Sequence, residues 1–343
     1  MRALVIGEHG GIDVLRFEER PVPERGPGDV LVEVKAIGLN HLDTWVRRGV
    51  PGHKFPLPLV PGCDGAGVVR ETGSLVTHVR PGDRVFLAPG VSCGVCPACV
   101  GGRDNLCRRY GILGEMRDGT CAEYVSVPGR NAIPIPEALS FEEAAAFPLA
   151  FLTAWHMVVA RAGLRPGETV LVHAAGSGVS SAAIQVCGLF GARRILVTAG
   201  SEEKLAKARD LGATDGILYL ERDFAEEVRR ITGKRGVDVI LDHVGADTFD
   251  RNVRSLVPGG RLVLCGATSG YEGKTDLRFV FFKNLSILGS TMGSLAELHE
   301  IASHIAAGRL RPVVDSVLPL SEVKEAHRRM GERSLFGKIV LRP

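Results

Sequence analysis

The chain has almost no net charge. Its 42 lysines and arginines stand against 39 aspartates and glutamates, a balance of +3 over 343 residues. So small an excess gives no field for nucleic acid, and no run of basic residues interleaved with aromatics supplies one locally. Aromatics are few, 6% of the chain with two tryptophans. Long apolar runs are absent as well. The longest, 144–160, carries Pro148, Thr153 and His156 and falls short of the roughly 20 residues a bilayer demands; it reads as a buried helix between domains. The opening MRALVIGEHGG turns polar and glycine-rich too early for a signal peptide. There is no internal repeat and no low-complexity segment. These absences lead to the expectation of a cytoplasmic enzyme acting on a small molecule, with neither membrane nor nucleic acid as partner.

What the chain does have is four cysteines within 93–107, in the string CGVCPACVGGRDNLC. Cys93, Cys96, Cys99 and Cys107 can enclose one tetrahedral zinc, since two-residue gaps let neighbouring thiolates converge and Gly101-Gly102 turns the longer excursion back. Four sulfurs leave no open position, so such a zinc is structural. The rival readings are two disulfides, which suit an oxidising compartment that nothing else here suggests, or four unrelated core cysteines. Cys187 and Cys265 lie in apolar runs and read as small buried thiols.

Hydrophobic patterning divides the chain. The first third alternates in the β manner, at 29–37, 82–85 and 122–127. From about residue 150, short apolar strands at 170–176, 195–200, 237–245, 261–267 and 285–290 alternate with helical segments. That is the signature of a parallel sheet covered on both faces, an α/β doubly wound Rossmann fold. A helix at 295–307, an apolar stretch, a second helix and a final strand GKIVL look like additions to the first domain.

The strand at 170–174 runs into Ala175-Gly176-Ser177-Gly178-Val179 and then a helix. Small side chains there admit a pyrophosphate to the backbone, and the helix start offers free N–H groups. Gly176, Ser177, Gly178 and Val179 are therefore candidate dinucleotide contacts. About twenty residues on, an NAD site presents an acid to the ribose. This chain has Thr198-Ala199-Gly200-Ser201, and Glu202 and Glu203 arrive only in the next helix. With no acid to repel a 2′-phosphate, and with Ser201 and Lys204 to hold one, NADP(H) is expected over NAD.

These motifs, with PGCDGAGVV (61–69), PGDRV (81–85), GTCAEYVSVP (119–128) and PLAFLTAW (148–155), resemble the medium-chain dehydrogenase/reductase superfamily of zinc alcohol dehydrogenases and quinone oxidoreductases. The resemblance spans nearly the whole chain. It implies a mostly β, GroES-like catalytic domain at 1–148, carrying the zinc lobe 93–107 and completed by 293–343. A dinucleotide-binding domain would occupy 149–292, with the active site in the cleft between the two. A homo-oligomer, dimer or tetramer, is implied too. Ser180 departs from the family's last motif glycine, and only a slightly altered helix–strand contact is expected of it.

Larger departures fall where the alcohol dehydrogenases hold catalytic zinc. Asn40 stands in place of the first cysteine, Cys63 in place of histidine, Asp64 in place of the neighbouring glutamate, and Phe147 or Leu149 in place of the third ligand. Zinc that acts as a Lewis acid needs three protein ligands and an open position. Cys63 and Asp64, neighbours on a strand-like segment, are expected to point oppositely. The string NHLDTW resembles instead the metal-free quinone-oxidoreductase branch, in which Lys204 and Tyr219 match positions holding the adenosine phosphate. Gly266 completes the cofactor set, and Thr153 would face the nicotinamide.

Asn40 reads equally as a donor to a substrate carbonyl or as a turn asparagine organising its loop. Thr153 also reads as an ordinary helix threonine, and His41 and Trp45 as structural residues. The leading expectation is NADPH-dependent reduction of a carbonyl, enone or quinone without catalytic zinc, the one structural zinc remaining. The alternatives are an alcohol dehydrogenase with a rebuilt metal site, and a nucleotide-binding protein without turnover.

Overall fold

The computed structural model describes residues 1–343. They form two compact units: Met1–Leu152 with Ser294–Pro343, and Thr153–Gly293. The crossings lie slightly later than the 148/149 and 292/293 boundaries read from the sequence.

The first unit is built on a seven-stranded sheet. Its order is Val314–Pro319, Lys338–Arg342, Asp29–Gly38, Asp64–Thr72, Arg84–Leu87 and Ala132–Pro134, with Tyr124–Pro128 also paired to Asp29–Gly38. Asp29–Gly38 alternates apolar and polar along most of its length, and it places Val30, Val32, Val34 and Ile37 in one buried cluster with Leu4, Ile6, Val69, Val85, Val127 and Leu341. At the end of this strand Gly38 is required by close approach: a Cβ there would meet the Ala145 carbonyl at 2.1 Å. The helix Phe141–Ala146 can therefore lie directly against the strand end.

The apolar run 144–160 is not one helix. Phe141–Ala146, capped by Ser140, stops before Pro148; Pro148–Trp155 follows, and the backbone then widens into a π-helix at His156–Arg161. Proline lacks the N–H that would continue the first helix, which is why the segment restarts at Pro148.

The second unit is a six-stranded, wholly parallel sheet in the order Asp215–Leu218, Arg194–Ala199, Thr169–Val172, Val237–Asp242, Leu256–Leu264, Ser286–Gly289. In chain order this is 3-2-1-4-5-6, the doubly wound arrangement whose ligand crevice opens at the C-terminal strand ends where the order reverses. Its core includes Leu171, Leu196, Ile217, Ile240 and Leu262, with Phe224 and Val228 of the helix Phe224–Ile231 against them. The strand Asp215–Leu218 was not among the five expected from the pattern.

Candidate functional site

In the second unit, the strand Thr169–Val172 ends in a turn in which Ala174 takes a left-handed conformation, φ +52°. Buried polar groups hold that turn. The Ala174 N–H donates to Thr198 Oγ1 at 2.9 Å, and the Ala175 N–H to the Thr198 carbonyl at 2.8 Å. Beneath them His173 bridges Thr198 Oγ1 (3.2 Å) and Asn252 Oδ1 (2.7 Å), while the Asn252 amide donates to Asp242 at 2.9 Å. Because the amide nitrogen is spent on a carboxylate, Asn252 offers His173 an oxygen, so the proton sits on Nε2 and Nδ1 accepts from Thr198. Burial lowers the His173 pKa, which keeps this imidazole neutral.

The helix Gly178–Leu189 then begins, N-capped by Ser177, whose hydroxyl accepts from the Ser180 N–H. Gly176, Ser177, Gly178 and Val179 remain partly exposed at this helix start, and its first N–H groups have no partner within the helix. The site therefore fits a pyrophosphate in its donor chemistry. Ser180 alters more than a packing contact. Its hydroxyl donates to the His173 carbonyl at 2.6 Å and lies 2.9 Å from Ser177 Oγ and 3.2 Å from His243 Nε2. His243 also lies 3.0 Å from Ser177 Oγ. Sequence reading missed this histidine, although it directly follows the fourth strand, the one beside the turn-bearing strand. Gly266 sits beside it, where a Cβ would come 3.2 Å from the His243 carbonyl.

The adenosine end gathers around the second and third strands. Ser201 N-caps the helix Glu202–Arg209 by accepting from the Lys204 N–H, which leaves its O–H as a donor. Tyr219 lies over Gly200, whose Cβ would come 3.2 Å from the phenol oxygen. Ala199, by contrast, is buried. Glu203 is tied to Lys207 one turn on, at 2.7 Å.

In the first unit, Asn40 precedes the helix His41–Arg48, and its N–H donates to Asp43 at 2.7 Å. The other Asp43 oxygen accepts from the Gly62 N–H at 3.1 Å. One carboxyl thus joins the helix start to the segment carrying Cys63. Its burial pushes the Asp43 pKa up to about 6.

Cys63 and Asp64 do not point oppositely. Cys63 precedes the strand that starts at Asp64 and follows Gly62, whose φ is +97°, so strand alternation does not govern it. Both side chains reach one atom: Asn40 Nδ2 lies 3.1 Å from Cys63 Sγ and 2.8 Å from Asp64 Oδ2, as well as 3.1 Å from the Gly38 carbonyl. Two N–H bonds face three acceptors, so to reach a substrate carbonyl the Asn40 amide would have to release one of them. Asp64 also accepts from the Leu149 N–H at 2.9 Å. Leu149 thus serves this cluster through its backbone, while Phe147 is fully buried against Phe86. Burial, followed by the charges of Asp64 and Asp43, raises the Cys63 pKa well above its usual value, which keeps it a thiol.

Sequence reading missed the fifth member of this cluster. Lys338, 5% exposed, donates to Asn40 Oδ1 and lies 3.2 Å from Asp64 Oδ2, itself 0% exposed. Nothing local marks it, since it reads as the polar start of a strand 274 residues beyond Asp64.

Elsewhere in the first unit the lobe gathers Cys93, Cys96, Cys99 and Cys107 with all four Sγ atoms within 4.8 Å of one another. The Cys93–Cys99 and Cys96–Cys99 pairs lie at 3.8 and 3.5 Å. A tetrahedron with Zn–S bonds of about 2.3 Å has edges of about 3.8 Å, so the four thiols fit zinc. Backbone N–H groups of Val95 and Cys96 lower the Cys93 pKa to about 5, and a bond from Ser92 lowers that of Cys99, both favouring the thiolate a metal needs. Thr153, in the second unit, is buried on Pro148–Trp155. Trp45 stacks edge-on with the exposed His41, at 5.3 Å.

A parallel sheet with a capped, small-residue turn at its reversal point, and on a separate β unit a lobe of four thiols that fits structural zinc, are the marks of the oxidoreductase class. Two family models agree: "Alcohol dehydrogenase GroES-like domain" matches residues 26–137 and "Zinc-binding dehydrogenase" residues 178–307. The chain belongs to the medium-chain dehydrogenase/reductase superfamily and is an oxidoreductase of its zinc-type alcohol dehydrogenase and quinone oxidoreductase family. It is 32% identical to the zinc-type alcohol dehydrogenase-like protein C1773.06c of Schizosaccharomyces pombe, covering 100% of this chain and 99% of that one. It is 30% identical to the quinone oxidoreductase of Homo sapiens, over 99% and 97%. A solved structure titled as an NAD-dependent alcohol dehydrogenase is 53% identical, covers 100% of both chains and superposes with a TM-score of 0.96. No helix is long and apolar enough to cross a membrane.

Proposed function

We propose that this protein reduces a small carbonyl, enone or quinone with NADPH, without a catalytic metal and with one structural zinc in the 93–107 lobe. The observation that carries the reading is Lys338. Where the alcohol dehydrogenases hold a metal cation, the Asn40–Cys63–Asp64 cluster already contains a buried ammonium. Asn40 and the thiol of Cys63 are poor zinc ligands, Leu149 offers only its backbone, and Asp64 is already paired.

The dinucleotide, when bound, supplies the hydride. The chain's own residues orient and exclude. The start of Gly178–Leu189 receives the pyrophosphate, and Ser201, Lys204 and Tyr219 take the 2′-phosphate, with no acid at 199–201 to repel it. Thr153, by family resemblance, faces the nicotinamide. The eight cysteines form no disulfide, which suits a cytoplasmic protein. Assembly with a second copy is supported by the strand Ser286–Gly289, which has a single neighbour, and by exposed Leu277, Phe281 and Phe282 on the adjoining segment.

The test is metal content against turnover in the purified full chain, with aldehydes, enones and quinones and both reduced dinucleotides. One zinc per chain with NADPH-dependent reduction is expected. A second reading, alcohol oxidation through a rebuilt zinc site with NAD, is favoured by the 53% identity to the NAD-dependent alcohol dehydrogenase structure. Two zincs per chain, with activity falling as the second is lost, would establish that reading instead.

A further inference from the structure

Burying an ammonium is costly unless it is fully paired, and the backbone of Lys338 does not need one. Its N–H donates to the Val313 carbonyl, and the strand Lys338–Arg342 is held by Val314–Pro319 and Asp29–Gly38 on its two sides. An apolar side chain of similar length would serve the strand's backbone equally well, but it would leave the Asp64 carboxylate, 0% exposed, without its counter-ion. What the ammonium contributes is therefore its charge and its donors, given to Asp64 and Asn40.

An ammonium has donors only, so the Asn40 amide must turn its oxygen toward it. The amide nitrogen is then directed at three acceptors, the Gly38 carbonyl, Cys63 Sγ and Asp64 Oδ2. Asp64 closes the circuit, taking the ammonium and the amide on one oxygen and the Leu149 N–H on the other. Each group has one chemically permitted orientation. Lys338 and Asp64 form an ion pair, with the Asp43 carboxyl bonded to the Asn40 N–H beside them.

We propose that Lys338 is a positioning residue whose buried ammonium does for Asn40 and Asp64 what a bound divalent cation would do, neutralising the carboxylate and fixing the amide in one orientation. This rests on the metal-free reading given above. Its charge acts on both titrating neighbours: Lys338 lowers the pKa of Asp43 and of Cys63 against the larger upward push of burial. Facing the cluster from the packed elements are thus Asp43 on His41–Arg48, Cys63 and Asp64 at the start of the next strand, and Lys338 on the last.

The test compares Lys338→Met, Lys338→Arg and Lys338→Ala in the zinc-loaded full chain. Lys338→Met should lose stability, because it strands the Asp64 carboxylate, yet stay folded at low temperature with NADPH affinity unchanged. Its kcat should fall by about a hundredfold, the scale of a small misplacement of reacting groups, with KM little altered. Lys338→Arg should recover part of the loss, and added methylammonium should restore Lys338→Ala saturably. Wild-type kcat and pH profile in Lys338→Met would overturn the proposal. So would a loss matched by equal loss of stability and nucleotide binding that neither arginine nor methylammonium repairs, for that marks packing alone. One readout is independent of the substrate. The Asn40 side-chain amide signals, assigned by their disappearance in Asn40→Asp, should be protected from hydrogen exchange in wild type and lose protection in Lys338→Met. Unchanged protection overturns the positioning role even if turnover falls. Protection present in wild type and lost in Lys338→Met, in a protein that reduces no carbonyl, enone or quinone, would instead retain the positioning role and discard the proposed reaction.

Discussion

The hydroxyl of Ser180 donates to the carbonyl of His173 at 2.6 Å, tying the first turn of Gly178–Leu189 back to the strand it leaves. The superfamily's usual glycine has no side chain to make this bond. The bond fixes the turn in which Ala174 sits at positive φ, and so fixes where the helix presents its free N–H groups.

Ser180→Ala should therefore weaken dinucleotide binding by several-fold to about tenfold, since a lost hydrogen bond of this kind is worth ~1 kcal/mol. Titration of NADPH by fluorescence measures it. Unchanged affinity and melting temperature would show that the turn is held without the serine.

The lobe should carry stability and not chemistry. Cys96→Ser leaves three thiolates and a poor ligand, so zinc should dissociate more readily and the melting temperature fall, with turnover at low temperature largely retained. Zinc analysis and thermal unfolding check both parts; abolished turnover at unchanged stability would contradict the structural assignment.

Dinucleotide choice can be shifted at Gly200. Ala199 is buried and would bury any acid placed there. A Cβ at Gly200 lies 3.2 Å from the hydroxyl of Tyr219, a residue 40% exposed and able to move. Gly200→Asp should repel a 2′-phosphate and move the preference toward NADH, as read from kcat/KM with each dinucleotide. Wild-type protein binding NADH at least as tightly as NADPH would defeat the expectation of NADP(H).

Asp43 gives stability a pH dependence of definite sign. Its pKa rises from 3.8 unfolded to about 6 folded, so the folded state binds the proton more tightly. The contribution is fully present below about pH 4 and is lost as pH rises through about 6. Asp43→Asn removes this titration at the loss of one of two backbone hydrogen bonds. Relative to wild type, the variant should be least stable at pH 4 and gain steadily to about pH 7. A parallel pair of stability profiles would refute this.

Legibility followed sequence distance. The lobe cysteines, the small-residue turn and five of the parallel strands are local patterns, and each formed where the pattern lay. The strand Asp215–Leu218 escaped because it is four residues long, begins with Asp and Gly and makes no apolar run. Lys338 escaped because its meaning depends on Asp64, far back in the chain. The shared aim of Cys63 and Asp64 depended on Gly62, whose positive φ breaks the alternation that a strand would impose. The buried relay from Thr198 through His173 to Asn252 and Asp242 joins three strand ends and a helix. No window along the chain contains it.

The Lys338–Arg342 strand lies between Asp29–Gly38 and Val314–Pro319, and this sets an order of birth on the ribosome. The nucleotide unit, Thr153–Gly293, is continuous and can close as soon as it emerges. The first unit begins earlier but must wait with a gap in its sheet, and with Asp64 lacking its counter-ion, until residues 338–342 arrive. Through that interval the Ile37–Gly38 end of the strand lacks its neighbour, while residues 29–33 are already paired to Tyr124–Pro128. The exposed backbone hydrogen bonds, a docking point for a chaperone and a hazard for aggregation, are confined to that end. The residue that fixes the polar cluster is thus made only after the whole nucleotide unit, and its strand is what completes the sheet of the first unit.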